Sequence, residues 1–150
     1  GPNGIREIPV EKMCIGPGRN AMDEGEFLVS IKLPLKNSSF SASYERFIPR
    51  NEMDIAVAAV ASSVSLENGK ISSCRIALAA VGPTPIYAEE ASKLLIGKEP
   101  SEENIKNASN KAKELASPIS DMRGTVEHRK DLIEVLTRRT LSKAVERVGV

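Results

Sequence analysis

Apolar and polar residues alternate through the first half of the chain and recur at helical spacing through the second. In residues 26–33 (EFLVSIKL), Phe27, Val29, Ile31 and Leu33 fall on one face and Leu28, Ser30 and Lys32 on the other. That alternation predicts a strand, ended by Pro34. After a polar turn at residues 36–39, alternation resumes over residues 40–48 and predicts a second strand. Residues 54–66 (DIAVAAVASSVSL) are ambiguous, because alanines favour helix and β-branched residues favour strand. The Asn68-Gly69 turn that comes next, with residues 71–81 as a second apolar arm, decides for a β-hairpin. Gly82-Pro83-Thr84-Pro85 stops that arm.

Three helical segments come after it, at residues 88–96, 102–116 and 125–148. The last carries Leu132, Leu136, Ala144 and Val148 on one stripe, with Thr125 or Ser120/Asp121 as its cap. Nearer the start, residues 5–10 (IREIPV) read as a short extended piece whose Pro9 suits an edge, and residues 14–25 read as loop. Strands first and helices afterwards predict an α+β fold, an antiparallel sheet with three helices packed on one face. The expected boundary lies near residues 34–38, dividing residues 1–34 from a compact unit of residues 35–150.

With 150 residues, 41% hydrophobic and 27% charged, the chain has the make-up of one globular domain. A net charge of +1 and an aromatic content of 3% argue against a nucleic-acid partner, since neither a basic field nor stacking platforms are present. The longest strongly apolar run, residues 55–61, is too short to span a bilayer, and no secretory leader opens the chain. Cys14 and Cys74 lie far apart without metal-ligand spacing, so two reduced thiols in a cytoplasmic protein are expected. One histidine and two cysteines cannot ligate an iron–sulfur cluster alone.

No motif announces a reaction. Gly16-Pro17-Gly18 lacks the spacing of a dinucleotide loop, and the prolines at 83 and 85 remove N–H donors an anion would need. His128 has no partner placed by sequence and reads as a surface histidine. Residues 127–147 carry acids early and bases late, which suits a solvated helix face. Arg46 and Arg50 flank Pro49 as cations near a turn, able to hold a phosphate, a carboxylate or a carbonyl oxygen.

Four ordered blocks add a family. They are residues 24–34 (EGEFLVSIKLP), residues 44–56 (YERFIPRNEMDIA), residues 81–98 with Val81-Gly82-Pro83-Thr84-Pro85-Ile86, and residues 118–139 with Pro118-Ile119-Ser120-Asp121, Arg123-Gly124 and Arg129. Together they resemble the C-terminal portion of the FAD-binding (medium) subunit of molybdenum hydroxylases, the carbon monoxide and xanthine dehydrogenase flavoprotein family. The resemblance implies that FAD lies between a preceding domain and this one. It also implies partner subunits carrying molybdopterin and [2Fe–2S] clusters, from which electrons pass through the flavin to an acceptor such as NAD.

Two residues carry over. Leu28 matches an aliphatic residue against the isoalloxazine ring, and Arg46 matches a cation, usually lysine, at the flavin's edge. Residues 47–53 match a segment beside the acceptor's access. The glycine-rich loops that grip the pyrophosphate lie upstream in relatives, and residues 1–34 look like the tail of that domain. The chain also opens Gly1-Pro2-Asn3-Gly4, without an initiator methionine. The expectation is therefore the C-terminal part of a longer or split subunit, one wall of a flavin site, not catalytic alone. Two alternatives are a non-enzymatic assembly domain of the same complex and an unrelated α+β binding module.

Overall fold

A computed structural model describes residues 1–33, 39–50 and 53–148. The compact unit is a four-stranded antiparallel sheet in the order β3-β4-β5-β6: β3 (Phe40–Phe47), β4 (Ala58–Glu67), β5 (Lys70–Ala79) and β6 (Ile86–Tyr87). Helices α2 (Glu89–Lys93), α3 (Glu102–Leu115) and α4 (Val126–Glu146) come next in chain order. This is the α+β fold expected, with three helices after the sheet.

Asn68 (φ 52) and Gly69 (φ 74) form the two-residue turn between β4 and β5, which pair from Glu67↔Lys70 to Ala59↔Ala79. Positive φ at both turn residues matches the right-handed twist of the strands, which is why an Asn-Gly pair selects hairpin over helix here. The outer edge of β5 is closed by residues from α2 and its flanks. Ile71 exchanges bonds with Gly97 and Lys98, and the Ile76 amide is taken by Ser92 Oγ at 3.0 Å while its carbonyl accepts from Ala88 N at 2.9 Å. An edge satisfied in this way offers no template for further pairing.

One sheet face is covered by α4, which crosses β3 and β4, with α3 packed on α4 and α2 along β5. Val60, Val64, Ile76 and Leu78 from the sheet meet Ile133, Leu136, Leu141 and Ala144 from α4 in one core. Of the stripe read from the sequence, Leu136 and Ala144 are buried, while Leu132 and Val148 pack at its margin. Ser41, Ser43 and Ser62 also face this core, and such small side chains let the helix approach closely. Ser62 Oγ lies 2.7 Å from Thr140 Oγ1, whose proton goes to the Leu136 carbonyl at 2.9 Å, so Ser62 is the donor of the pair. At its far end α4 is tied to β3 by Lys143 to Glu45 (2.7 Å) and by Arg147 to the Ala42 carbonyl (3.0 Å).

The N-terminal arm departs from expectation. Residues 5–9 form no strand, and α1 (Val10–Met13) begins after Pro9, whose ring suits the entry to a helical turn better than an edge. Residues 14–25 are not all loop, since β1 (Cys14–Gly16) and β2 (Arg19–Asn20) make a small hairpin around Pro17-Gly18. Residues 26–33 form no helix and pair with no strand among the described residues, and Phe27, Leu28, Val29, Ile31 and Leu33 are all exposed. The alternation was legible; a partner strand for it is absent among the described residues. Arg6 clamps Glu26 through two bonds of 2.6 Å, and that bonding holds the Glu26 carboxyl down to about 2. Lys32 pairs with Glu7, and Glu11 with Arg75 of β5. The turn expected at residues 36–39 and the boundary at residues 34–38 lie outside the described residues, Ser39 excepted.

The buried hydroxyls generate a contrast. Thr140→Val should destabilise the domain by about 1–3 kcal/mol, because Ser62 loses its acceptor. Thr137 Oγ1 is buried without a partner among the described residues, so Thr137→Val should be neutral or stabilising by up to about 1 kcal/mol. Urea midpoints of the two variants, with unchanged slopes, check both signs.

Candidate functional site

Arg46 sits near the end of β3 on the sheet face turned away from the helices. Alternation puts Ala42, Tyr44 and Arg46 outward and Ser41, Ser43 and Glu45 towards α4. Across the sheet Arg46 stands opposite Ala59, which stands opposite Ala79. The guanidinium therefore rises from a row of alanines and is exposed, and its side chain has no hydrogen bond or ion pair among the described residues. A shallow hollow of about 410 Å³ lies on the same face, lined by Tyr44, Ala61, Ala77, Arg75 and Arg147 among others. Arg75 stacks over the Tyr87 ring at 4.3 Å.

Arg50, the other arginine flanking Pro49, is otherwise engaged. Its amide and Nε reach Asp54 Oδ2 at 3.2 and 3.5 Å, and the Ile55 amide donates to Oδ1 at 3.0 Å. Burial pushes the Asp54 carboxyl up, but these donors outweigh it and hold the group below its ordinary value. The loop containing Pro49 is thus closed by Asp54, and Arg50 serves that closure. Leu28 lies elsewhere, exposed on the unpaired arm segment, and residues 51 and 52 of the loop fall outside the described residues.

The residue that sequence reasoning passed over is Arg129. It is only 5% exposed, in the first turns of α4. Its Nη1 donates to the carbonyls of Val57 (2.9 Å) and Ala80 (3.4 Å), and Nη2 to Asp121 Oδ1 (2.6 Å). One guanidinium so joins the chain entering β4 to the chain leaving β5, where Ala80 has φ 63. A non-glycine residue in that region costs about 1–2 kcal/mol, which the bond to its carbonyl helps to offset. Asp121 also accepts from the Arg123 amide at 2.8 Å, and the Asp121–Gly124 turn is closed by reciprocal backbone bonds of 3.1 and 3.2 Å. A Cβ on Gly124 would come within 3.1 Å of the His128 ring and 3.7 Å of Val57, so the turn lies close against the sheet end and a side chain there would press on His128. A signal for Arg129 did exist. It lies four residues before Ile133 on the buried stripe, a position where an arginine needs a built partner.

The other candidates have structural roles. His128 meets Phe47 edge-on at 6.0 Å and is exposed. Gly16-Pro17-Gly18 is the turn of the arm's hairpin. Cys14 is exposed and Cys74 buried, both free, with burial pushing the Cys74 thiol up to about 12. Among the described residues no cluster could hold a metal, and no helix is long and apolar enough to cross a membrane.

Residues 43–144 match the CO dehydrogenase flavoprotein C-terminal domain family. The chain belongs to that family. It is 32% identical to the carbon monoxide dehydrogenase medium chain of Afipia carboxidovorans over 98% of this chain and 51% of the relative. It is 27% identical to the xanthine dehydrogenase FAD-binding subunit of Escherichia coli O157:H7 over 99% of this chain and 51% of the relative. The fold superposes on a chain of carbon monoxide dehydrogenase from Hydrogenophaga pseudoflava with a TM-score of 0.94 at 30% identity, covering 99% of this chain and 51% of that one. Quinoline 2-oxidoreductase from Pseudomonas putida 86 gives 0.88 at 26% identity over 99% and 51%. The chain therefore spans about half the length of the curated relatives it matches. The family match takes in Arg46 and the whole Arg129 network; Leu28 lies before it.

Arg129→Met should lower stability by about 3 kcal/mol, since two carbonyls and a carboxylate lose their donor. The Asp121 carboxyl is held below its ordinary 3.8 by the Arg129 bond, so its contribution is present above that pH and fades as pH falls through the lower folded value. The difference in urea midpoint between wild type and Asp121→Asn should accordingly be full at pH 6 and narrow below 3.8. A difference that stays constant into acid would contradict this assignment.

Proposed function

We propose that this chain forms one wall of the flavin site in the FAD subunit of a molybdenum hydroxylase. In this reading residues 1–34 finish a preceding FAD-binding domain, residues 35–150 are the flavoprotein C-terminal domain, and other subunits carry molybdopterin and [2Fe–2S] clusters. Electrons from those clusters leave through the flavin to an external acceptor such as NAD. The observation that carries the reading is Arg46, an exposed guanidinium rising from a floor of alanines with no partner among the described residues. The names of relatives support it, being FAD-binding and medium subunits of dehydrogenases. Support for the domain division comes from residues 26–33, unpaired among the described residues and apolar on an exposed surface, as a strand would be whose sheet other residues complete.

The residues present fit the edge of a flavin and not its pyrophosphate. A planar fork with no partner among the described residues and an exposed aliphatic side chain suit a ring with carbonyl oxygens at its rim. The turn at residues 82–85 suits no phosphate, since Pro83 and Pro85 carry no N–H. Bound FAD supplies the electron-storing ring, and the work of this chain is electrostatic and steric. Arg46 places a fixed positive charge where negative charge collects, which favours the reduced form. Leu28, exposed on the arm, would supply apolar surface against the ring. Arginine rather than lysine gives two directions of hydrogen bonding from one position.

Two measurements check this. Arg46→Ala in the full-length subunit should make the flavin midpoint potential more negative and slow transfer to the acceptor; unchanged potential and turnover would favour a pure assembly role. This chain alone, titrated with FAD, should show no saturable one-to-one absorbance change, whereas stoichiometric uptake would overturn the two-walled site.

A further inference from the structure

Arg129 and Asp121 are more than a fold brace when their bonds are traced outward. The Val57 carbonyl accepts from Arg129 Nη1 at 2.9 Å, and the Val57 amide donates to the Phe47 carbonyl at 2.9 Å. Phe47 is the residue next to Arg46. A second route reaches the same place, from the Asp121–Gly124 turn through Gly124 to His128 and Val57, and from the His128 ring to Phe47 at 6.0 Å. Both begin at the carboxylate–guanidinium pair, and both end on the backbone and ring of Phe47.

The β3–β4 ladder holds Arg46 opposite Ala59 and Phe47 opposite Ala58, and the Val57-to-Phe47 bond lies just past its last pair. Beyond Phe47 the chain leaves the sheet, and Arg50 is bonded to Asp54. The Phe47 carbonyl, next to Arg46 in the chain, is the contact through which the Arg129 network can adjust the direction of the Arg46 side chain. A buried guanidinium is an expensive way to hold two strand ends together if stability were its only purpose, because apolar residues of similar volume often serve as well. What an apolar residue cannot do is fix two carbonyls and a carboxylate at set angles. We propose that Arg129, locked by Asp121, is a positioning residue that sets the geometry of Arg46 through Val57 and Phe47. The inference rests on the reading of Arg46 as the flavin-edge cation.

The test is a double-mutant cycle on the flavin midpoint potential in the full-length subunit, using Arg46→Ala, Arg129→Met, and both together, with Arg129→Lys and Asp121→Asn beside them. Arg129→Met should shift the potential in the same direction as Arg46→Ala, and the double variant should shift it no further than Arg46→Ala alone. Arg129→Lys, which keeps the charge but not the fork, should recover stability better than it recovers the potential. If Arg129→Met does not fold, Asp121→Asn carries the same cycle. A fall in melting temperature with an unmoved potential, or additive shifts in the double variant, would overturn the proposal and leave the function of Arg46 intact. No shift from Arg46→Ala alone would instead bring down the functional reading, and this inference with it. A flavin-free readout runs on the present chain. Exchange of the Val57 amide should speed up about tenfold relative to Val60 and Val64 in Asp121→Asn, as a local opening does. An unchanged ratio would refute the linkage.

Discussion

The seating of α4 across the small-residue face of β3 and β4 governs everything else in this fold. Serines at 41, 43 and 62 let the helix lie close to the sheet, and the Ser62–Thr140 hydroxyl pair is the polar contact at the middle of that interface. The two ends are held differently. Lys143 and Arg147 tie the C-terminal end to β3 from the solvent side, where screening leaves such pairs little energy. At the N-terminal end a buried arginine reaches past the sheet margin to the backbone of two strands. One end of the helix is thus adjustable and the other is not, and the candidate site lies at the end that is not.

How much of this was legible varies with how local the cause is. The β4–β5 hairpin was readable because Asn68-Gly69 favours a turn that only a hairpin uses, whatever the alanines beside it prefer. The three helices after the sheet were readable from caps and apolar spacing, and Ser101 and Thr125 do cap α3 and α4. The arm was read less well, since its small hairpin and single helical turn have too few residues for periodicity to register. Residues 26–33 show the limit most clearly: alternation reports that a segment suits a strand, but a strand also needs a neighbour. Tyr87, in a two-residue strand, was lost in the proline-rich turn before it.

The site divides along the same line. Arg46 could be named from a resemblance, yet its residue type and its place beside Pro49 did not set it apart from Arg50. The distinction is made by Asp54, four residues on, whose carboxylate collects the Arg50 side chain and the amides of Arg50 and Ile55. For Arg129 the sequence signals a buried position, but not what the guanidinium bonds to. Two of its three partners among the described residues are carbonyls 72 and 49 residues away, and a carbonyl has no side-chain identity for a sequence to display.

The two arginines flanking Pro49 illustrate why exposure alone does not identify function. Both guanidinia face solvent, and a surface ion pair such as Arg50–Asp54 contributes little stability. Yet pairing changes availability. A guanidinium already shared with a carboxylate presents a weakened field to a ligand, whereas Arg46, on an apolar floor and without a partner among the described residues, keeps its charge and donors for one. Alanines at 59 and 79 matter to that contrast, because longer side chains in the same row would supply either a competing acceptor or a wall. Ala59 is already buried beneath its neighbours, so a larger residue there would have to push the arginine aside. The chemistry available at the end of β3 is thus set as much by two short side chains as by the arginine itself. That is a reason to expect Ala59 and Ala79 to resist enlargement even though neither faces the helical core.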